Sequence, residues 1–107
     1  MVITGRAAGA PIEVQKAAKK QLVFKFEEDI SGNTVVFKAW QYANASLDVD
    51  LNATSAVYSS PYTTVTFDLT ATDTNINYGR GEYSVHDETD DLVKAAGPFM
   101  IVHVPIS

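Results

Sequence analysis

Alternating apolar and polar residues run through most of the chain. Between residues 21 and 27 the large apolar side chains are Leu22, Phe24 and Phe26. They fall on one face of an extended segment, because successive side chains of a strand point to opposite sides. Similar patterns rich in β-branched and aromatic residues recur along the chain. We therefore predict strands over residues 21–27, 34–40, 47–52, 63–69, 82–87 and 99–104.

Turn-forming residues separate these segments. Ser31-Gly32-Asn33 lies between the first two, and this spacing predicts a hairpin over residues 21–40, with a positive φ available to Gly32. Gly79-Arg80-Gly81 predicts a tight turn before the strand at 82–87. Residues 87–91 form an acidic turn in this interpretation, and Gly97-Pro98 marks the beginning of the last strand.

Two segments have less regular patterns. Residues 11–20 fit either a helix that begins at Pro11 or a short strand over Ile12–Val14, and the ragged apolar stripe favours the strand. Residues 70–75 predict a single helical turn, with Thr70 or Thr72 as its N-cap.

About seven short strands with turn signals between them are typical of an all-β fold. They predict an antiparallel, immunoglobulin-like β-sandwich. We expect residues 12–107 to form this single domain. We expect residues 1–11 to be an arm that is flexible or ordered by a partner.

Charge is distributed unevenly along the 107 residues. The first 25 carry five basic residues and one acidic residue, whereas the remainder carries three basic and twelve acidic ones, so a net +4 precedes a net −9. The basic segment could bind an acidic neighbour, including the body of another copy, or its lysines could guard a sheet edge. Because the acidic body would repel phosphate, we expect no nucleic-acid partner. No apolar run is long enough to predict a membrane span.

Residues that could carry chemistry are few. The sequence has no cysteine, and its two histidines, His86 and His103, lie in predicted strands without an evident nucleophile or metal-ligand pattern. Asp48, Asp50 and Asn52 resemble the opening of a calcium loop, but the glycine and glutamate that should follow are missing, so they predict a solvated strand face. We therefore expect no enzymatic activity, no catalytic residue, no metal site and no cofactor.

Aromatic residues are the remaining candidates for binding. Tyr58, Tyr62 and Tyr78 are expected to be exposed, while Trp40 could belong either to the core or to an interface. Tyr83 could be a corner residue that bonds back to the backbone. The candidate interface residues are Arg6, Lys16, Lys19, Lys20, Tyr58, Tyr62 and Tyr78.

Three stretches in the second half of the chain resemble a pattern of small bacteriophage tail proteins. They are Thr66-Phe67-Asp68-Leu69-Thr70-Ala71-Thr72-Asp73-Thr74, Gly81-Glu82-Tyr83-Ser84-Val85-His86-Asp87 and Gly97-Pro98-Phe99-Met100-Ile101-Val102. Together with residues 21–37, they are similar to the N-terminal immunoglobulin-like domain of baseplate upper proteins and of tail-fibre attachment modules. Lys16-Ala17-Ala18-Lys19 departs from the Gly-Asp type of turn expected there, and those proteins usually continue into further domains.

This resemblance implies a structural role in the virion. The domain would dock onto a tail or baseplate and associate with other virion proteins and with copies of itself in a symmetric assembly. Two alternatives stay open, namely a carbohydrate-binding β-sandwich that uses exposed tyrosine or tryptophan residues, and a capsid decoration protein.

Overall fold

The computed structural model describes the backbone of residues 2–4 and residues 11–42, 48–76 and 78–102. Over this part of the chain the structure consists of β-strands, turns and loops. The strands are β1 Val2–Thr4, β2 Ile12–Gln15, β3 Lys20–Phe26, β4 Val35–Gln41, β5 Val49–Asn52, β6 Ser55–Ser59, β7 Tyr62–Leu69, β8 Gly79–Asp87 and β9 Leu92–Val102. The prediction of an all-β fold is confirmed, and the helix considered for residues 11–20 is replaced by β2.

The strands form two sheets. The four-stranded sheet has the order β1-β3-β7-β6, and the five-stranded sheet has the order β2-β9-β8-β4-β5. Two edge pairs, β1 with β3 and β2 with β9, are parallel. The remaining pairs are antiparallel.

A core rich in aromatic rings joins the sheets. The Phe37 ring of the five-stranded sheet lies 5.6 Å from Phe67 and 6.5 Å from Phe24 of the other sheet, between ring centroids. Phe37 also lies 5.7 Å from Tyr83 and 6.2 Å from Phe99 within its own sheet. All five side chains are essentially inaccessible to solvent. The two sheets therefore pack face to face, with Phe37 in contact with both layers.

The predicted hairpin over residues 21–40 is wrong. β3 pairs with β7 in the four-stranded sheet, whereas β4 pairs with β5 and β8 in the other sheet. The connection between β3 and β4 therefore crosses from one layer to the other. Within it, Ile30 is buried and its backbone N–H donates to the Thr63 hydroxyl at 3.0 Å. Gly32 does not adopt a positive φ.

The turn predicted at Gly79-Arg80-Gly81 and the strand start predicted at Gly97-Pro98 are also wrong. Gly79-Arg80-Gly81 lies within β8, and Gly97-Pro98 lies within β9. Pro98 is compatible with this position because β2 pairs with β9 only from Phe99 onwards, so no described strand pairs with this side of β9 at the proline.

The turn after β7 is formed as expected. The backbone N–H of Asp73 donates to the Thr70 hydroxyl at 3.1 Å, and the Thr70 N–H donates to the Asp73 carboxylate at 2.8 Å. This reciprocal pair is a capping box, so Thr70 is the N-cap of a single helical turn. Among the described residues, no helix is long and apolar enough to cross a membrane.

Candidate functional site

A groove lies on the outer face of the five-stranded sheet. β4 turns Phe37 and Ala39 into the core, and the alternation of the strand therefore turns Trp40 to the outside, where it is half-buried. Trp40 is thus an outer-face residue and not part of the core. The groove has a volume of about 510 Å³, and its lining includes Trp40, Tyr42, Glu82, Val93, Gly97 and Pro98.

The groove combines aromatic and apolar side chains with one carboxylate. Tyr42 is 68% exposed, and its hydroxyl donates to the Glu82 carboxylate at 3.3 Å. Desolvation, followed by the charge of Glu82 and the hydrogen bond to it, raises the pKa of the Tyr42 hydroxyl. Tyr42 therefore stays a neutral donor at neutral pH, and the groove offers a flat apolar surface beside an anion.

The predicted interface residues are distributed over separate parts of the surface. Lys16 follows β2, donates to the Ile76 carbonyl at 2.7 Å and lies 5.6 Å from the centroid of the exposed Tyr78 ring. Lys16 and Tyr78 are therefore brought together, and part of the donor capacity of Lys16 is used within the chain.

Lys19 and Lys20 lie together in a second part of the surface. Both line a cavity of about 350 Å³ with Glu13 and Gln15, so acidic as well as basic groups border it. Lys19 is exposed and Lys20, the first residue of β3, is half-buried. Arg6, the remaining basic candidate, lies outside the described residues.

Tyr58 and Tyr62 lie on either side of the β6–β7 turn. Tyr58 is exposed as expected, but Tyr62 is half-buried, with the Lys25 ammonium 5.8 Å from its ring centroid. In the β3–β7 register, Lys20 is opposite Leu69, whereas Phe26 is opposite Thr63 beside Tyr62. The tyrosine pair and the Lys20 region thus lie at opposite ends of the same sheet, about 20 Å apart.

The histidine and acidic-turn residues make internal contacts. His86 is half-buried, and its Nε2 lies 3.2 Å from the Asp91 carboxylate. Asp87 is completely buried and accepts hydrogen bonds from the Asn33 amide and from the backbone N–H groups of Thr89 and Asp90. Asp87 therefore organises the turn at residues 87–91. His103 lies outside the described residues.

The solvated face predicted for Asp48, Asp50 and Asn52 is found only in part. Asp50 and Asn52 are exposed, whereas Asp48 is half-buried and accepts a hydrogen bond from the Gln41 N–H at 3.0 Å. Tyr83, which the sequence could place at a corner, lies within β8 and is fully buried.

A buried lysine, which the alternating pattern does not predict, lies at a β-bulge. The register between β8 and β9 shifts between Val85 and His86, so that Lys94 has no direct partner on β8. The Lys94 side chain is only 4% exposed, and its ammonium lies 2.8 Å from the Glu28 carboxylate. The irregular register explains why alternation could not predict this inward position.

Removal of the Glu28 charge is expected to destabilise the fold. Glu28→Gln should lower the free energy of unfolding by about 1–2 kcal/mol, because Lys94 stays buried with a weaker acceptor. Urea denaturation followed by circular dichroism measures this difference. Glu27→Gln, at an exposed neighbouring position, is the matched control and should change stability by less than about 0.5 kcal/mol. Equal losses for both variants would contradict a stabilising role for the Lys94–Glu28 pair.

Among the described residues, no group of three or more histidine, cysteine, aspartate or glutamate side chains is arranged to hold a metal ion. Comparison with protein-family models and with curated proteins finds no match to this chain.

Proposed function

We propose that this chain is a non-enzymatic structural protein of a bacteriophage particle, a tail, baseplate or fibre-attachment adaptor that acts through protein–protein contacts. Its place is the virion, and its partners are other virion proteins and copies of itself in a symmetric assembly. The sequence resemblance supports the phage assignment, and the exposed apolar groove supports the mode of action.

The strand order supports an immunoglobulin-like classification of the sandwich. Lettered along the chain, β1, β3, β4, β5, β6, β7, β8 and β9 become A, B, C, C′, D, E, F and G. The sheets then read A-B-E-D and G-F-C-C′, with β2 as an additional strand beside G. Immunoglobulin-like domains place B, E and D in one sheet and G, F and C in the other. The parallel pairing of β1 with β3 differs from their mainly antiparallel sheets.

The observation that carries the proposal is the composition of the groove around Trp40. Tryptophan and tyrosine, the residue types at positions 40 and 42, are enriched at protein–protein interfaces. Val93 and Pro98 extend the apolar surface beside them. Val93 is an exposed large apolar side chain, and its burial against a partner would contribute favourably to binding. The groove is therefore suited to a contact with another protein.

A second candidate function is carbohydrate binding. The Glu82 carboxylate lies beside the rings of Trp40 and Tyr42, and Ser84 adds a hydroxyl to the same groove. An aromatic face with a few polar groups around it can hold a sugar ring. A capsid decoration protein, the remaining alternative, would use the same contacts at another position on the particle.

Truncation of Trp40 is expected to impair assembly and to leave the fold intact. Trp40→Ala should reduce the amount of chain incorporated into particles at least about tenfold, because central tryptophans dominate the energy of interfaces. Quantitative immunoblots of gradient-purified particles, normalised to total expression, measure this change. Leu92→Ala, an exposed apolar position outside the groove, is the control and should be incorporated normally.

One result would contradict the groove as the contact surface, and another would contradict the proposed function itself. Normal incorporation of Trp40→Ala would show that the groove is not the contact surface. Glycan-array binding by the native chain that is lost in Trp40→Ala, with no chain present in particles, would favour the carbohydrate-binding candidate.

A further inference from the structure

β6 forms one edge of the four-stranded sheet, and β1 forms the other. β6 pairs with β7 on one side, and no described strand pairs with its other side. An exposed strand edge presents backbone N–H and C=O groups that can pair with another chain. Natural proteins usually protect such edges with charged side chains, proline or bulges, or cover them. β6, with the sequence Ser55-Ala56-Val57-Tyr58-Ser59, contains none of the protecting residue types.

The lack of charge extends beyond β6. Residues 51–67 contain no aspartate, glutamate, lysine, arginine or histidine, although the chain as a whole is one-fifth charged. The two edges of the five-stranded sheet differ in this respect, because β2 carries Glu13 and β5 carries Asp50. β6 is thus an edge at which another strand would meet no charged side chain.

The exposed side chains of β6 are of types that pack well against a further strand. Val57 is 60% exposed on the outer face, opposite Thr64 of β7, and Tyr58 is exposed as well. Valine and tyrosine are favoured in strands with neighbours on both sides, since they pack well against cross-strand partners.

We propose that β6 pairs antiparallel with β6 of a second copy of this chain, joining the two four-stranded sheets into one continuous sheet. With a two-fold axis at Val57, Val57 would lie opposite Val57, Ala56 opposite Tyr58, and Ser55 opposite Ser59. No pair brings two like charges together. The contact is isologous, because the same patch serves both copies. This inference rests on the proposed function and names the partner at one of its surfaces.

Charge favours a second copy as the occupant. Each chain carries a net charge of −5, so two copies repel each other least where they meet at an uncharged surface. The β6 edge offers that surface. Because its short sequence carries no charge, two copies of it can pair antiparallel without bringing like charges together. β2 and β5, in contrast, would bring acidic side chains close together on self-pairing.

Charged substitutions at Val57 test both the pairing and its register. Sedimentation velocity of the full chain from micromolar to several hundred micromolar should show a reversible dimer. Val57→Lys and Val57→Glu should each raise the dissociation constant at least about tenfold, since like charges would then face each other across the axis. An equimolar mixture of the two variants should restore the dimer, because lysine would then lie opposite glutamate. Leu92→Lys, at a position that is 47% exposed, should dimerise like the native chain.

Hydrogen exchange locates the contact independently. The backbone amides of β6 should become more protected as the concentration of the native chain increases. A monomer at every concentration would overturn the pairing, as would a dimer that Val57→Lys leaves unchanged or that the mixture fails to restore. These outcomes differ from failure of the proposed function, which would appear as absence of the native chain from purified particles.

Discussion

Phe37→Ala is expected to lower the free energy of unfolding by about 3–5 kcal/mol, the usual cost of deleting a fully buried aromatic side chain. Phe37 contacts rings of both sheets, with centroid distances from 5.6 to 6.5 Å. The substitution therefore removes contacts between the layers and leaves a cavity between them. A domain of this size has a total stability of about 5–15 kcal/mol, so a large fraction of it would be lost.

Trp40→Ala is the matched control for this prediction. Both substitutions remove an aromatic side chain from β4, but Phe37 points into the core and Trp40 points to the outer face. Trp40→Ala should cost about 1 kcal/mol or less, since the side chain is only half-buried. Urea denaturation followed by circular dichroism measures both variants. A larger loss for Trp40→Ala than for Phe37→Ala would contradict the inward and outward positions described for β4.

Gly81→Ala is expected to have an effect of similar size for a different reason. A Cβ atom on Gly81 would overlap with the Trp40 carbonyl oxygen and approach the Gln41 Cα of the neighbouring strand. Backbone atoms in the middle of a sheet cannot move aside without disturbing the β4–β8 pairing, which places Gly81 opposite Gln41. We expect a loss of about 3 kcal/mol or more, at the upper end of the costs of overpacking.

Gly32→Ala is the control for the loss of glycine. No atom lies within 4 Å of the position that its Cβ would occupy, and its φ is not positive. The substitution should be neutral or stabilise the fold by up to about 1 kcal/mol, because alanine reduces the freedom of the unfolded chain. Thermal unfolding monitored by circular dichroism compares the two variants. Similar melting temperatures for Gly81→Ala and the native chain would show that β8 and β4 are not in such close contact.

The sequence predicts the strands with a regular burial pattern well. β7 alternates between half-buried and buried positions over most of its length, and it was predicted from the alternation at residues 63–69. β6 was missed because most of its residues are exposed, so its sequence shows no contrast between two faces. Local patterns therefore identify strands with one face in the core, and they fail at β6, whose side chains are mostly exposed.

Pairing between strands was harder to predict than the strands themselves. The turn residues between β3 and β4 indicated a hairpin, but buried Ile30 carries the connection from one sheet to the other. Within this connection the Ile30 N–H donates to the hydroxyl of Thr63, which is 33 residues away in the chain. Turn residues indicate the local path of the chain only, so they cannot predict a contact between residues so far apart in the sequence.

The same limit applies to the candidate site. Tyr58 and Tyr78 are exposed as predicted, whereas Tyr62, for which the same prediction was made, is half-buried. The groove around Trp40 was not predicted, because it requires Trp40, Glu82 and Pro98 from three strands. Exposure of a single aromatic residue is thus only partly visible in the sequence, while the shape of a surface depends on the strand order.

Presence of the chain in virions is the most direct test of the proposed function. Phage particles should be produced with the gene in its native genomic position and purified by density gradient. The proteins of these particles should then be quantified by mass spectrometry. We predict a fixed copy number of the chain per particle, retained after a high-salt wash. Particles that contain none of it would contradict a structural role in the virion.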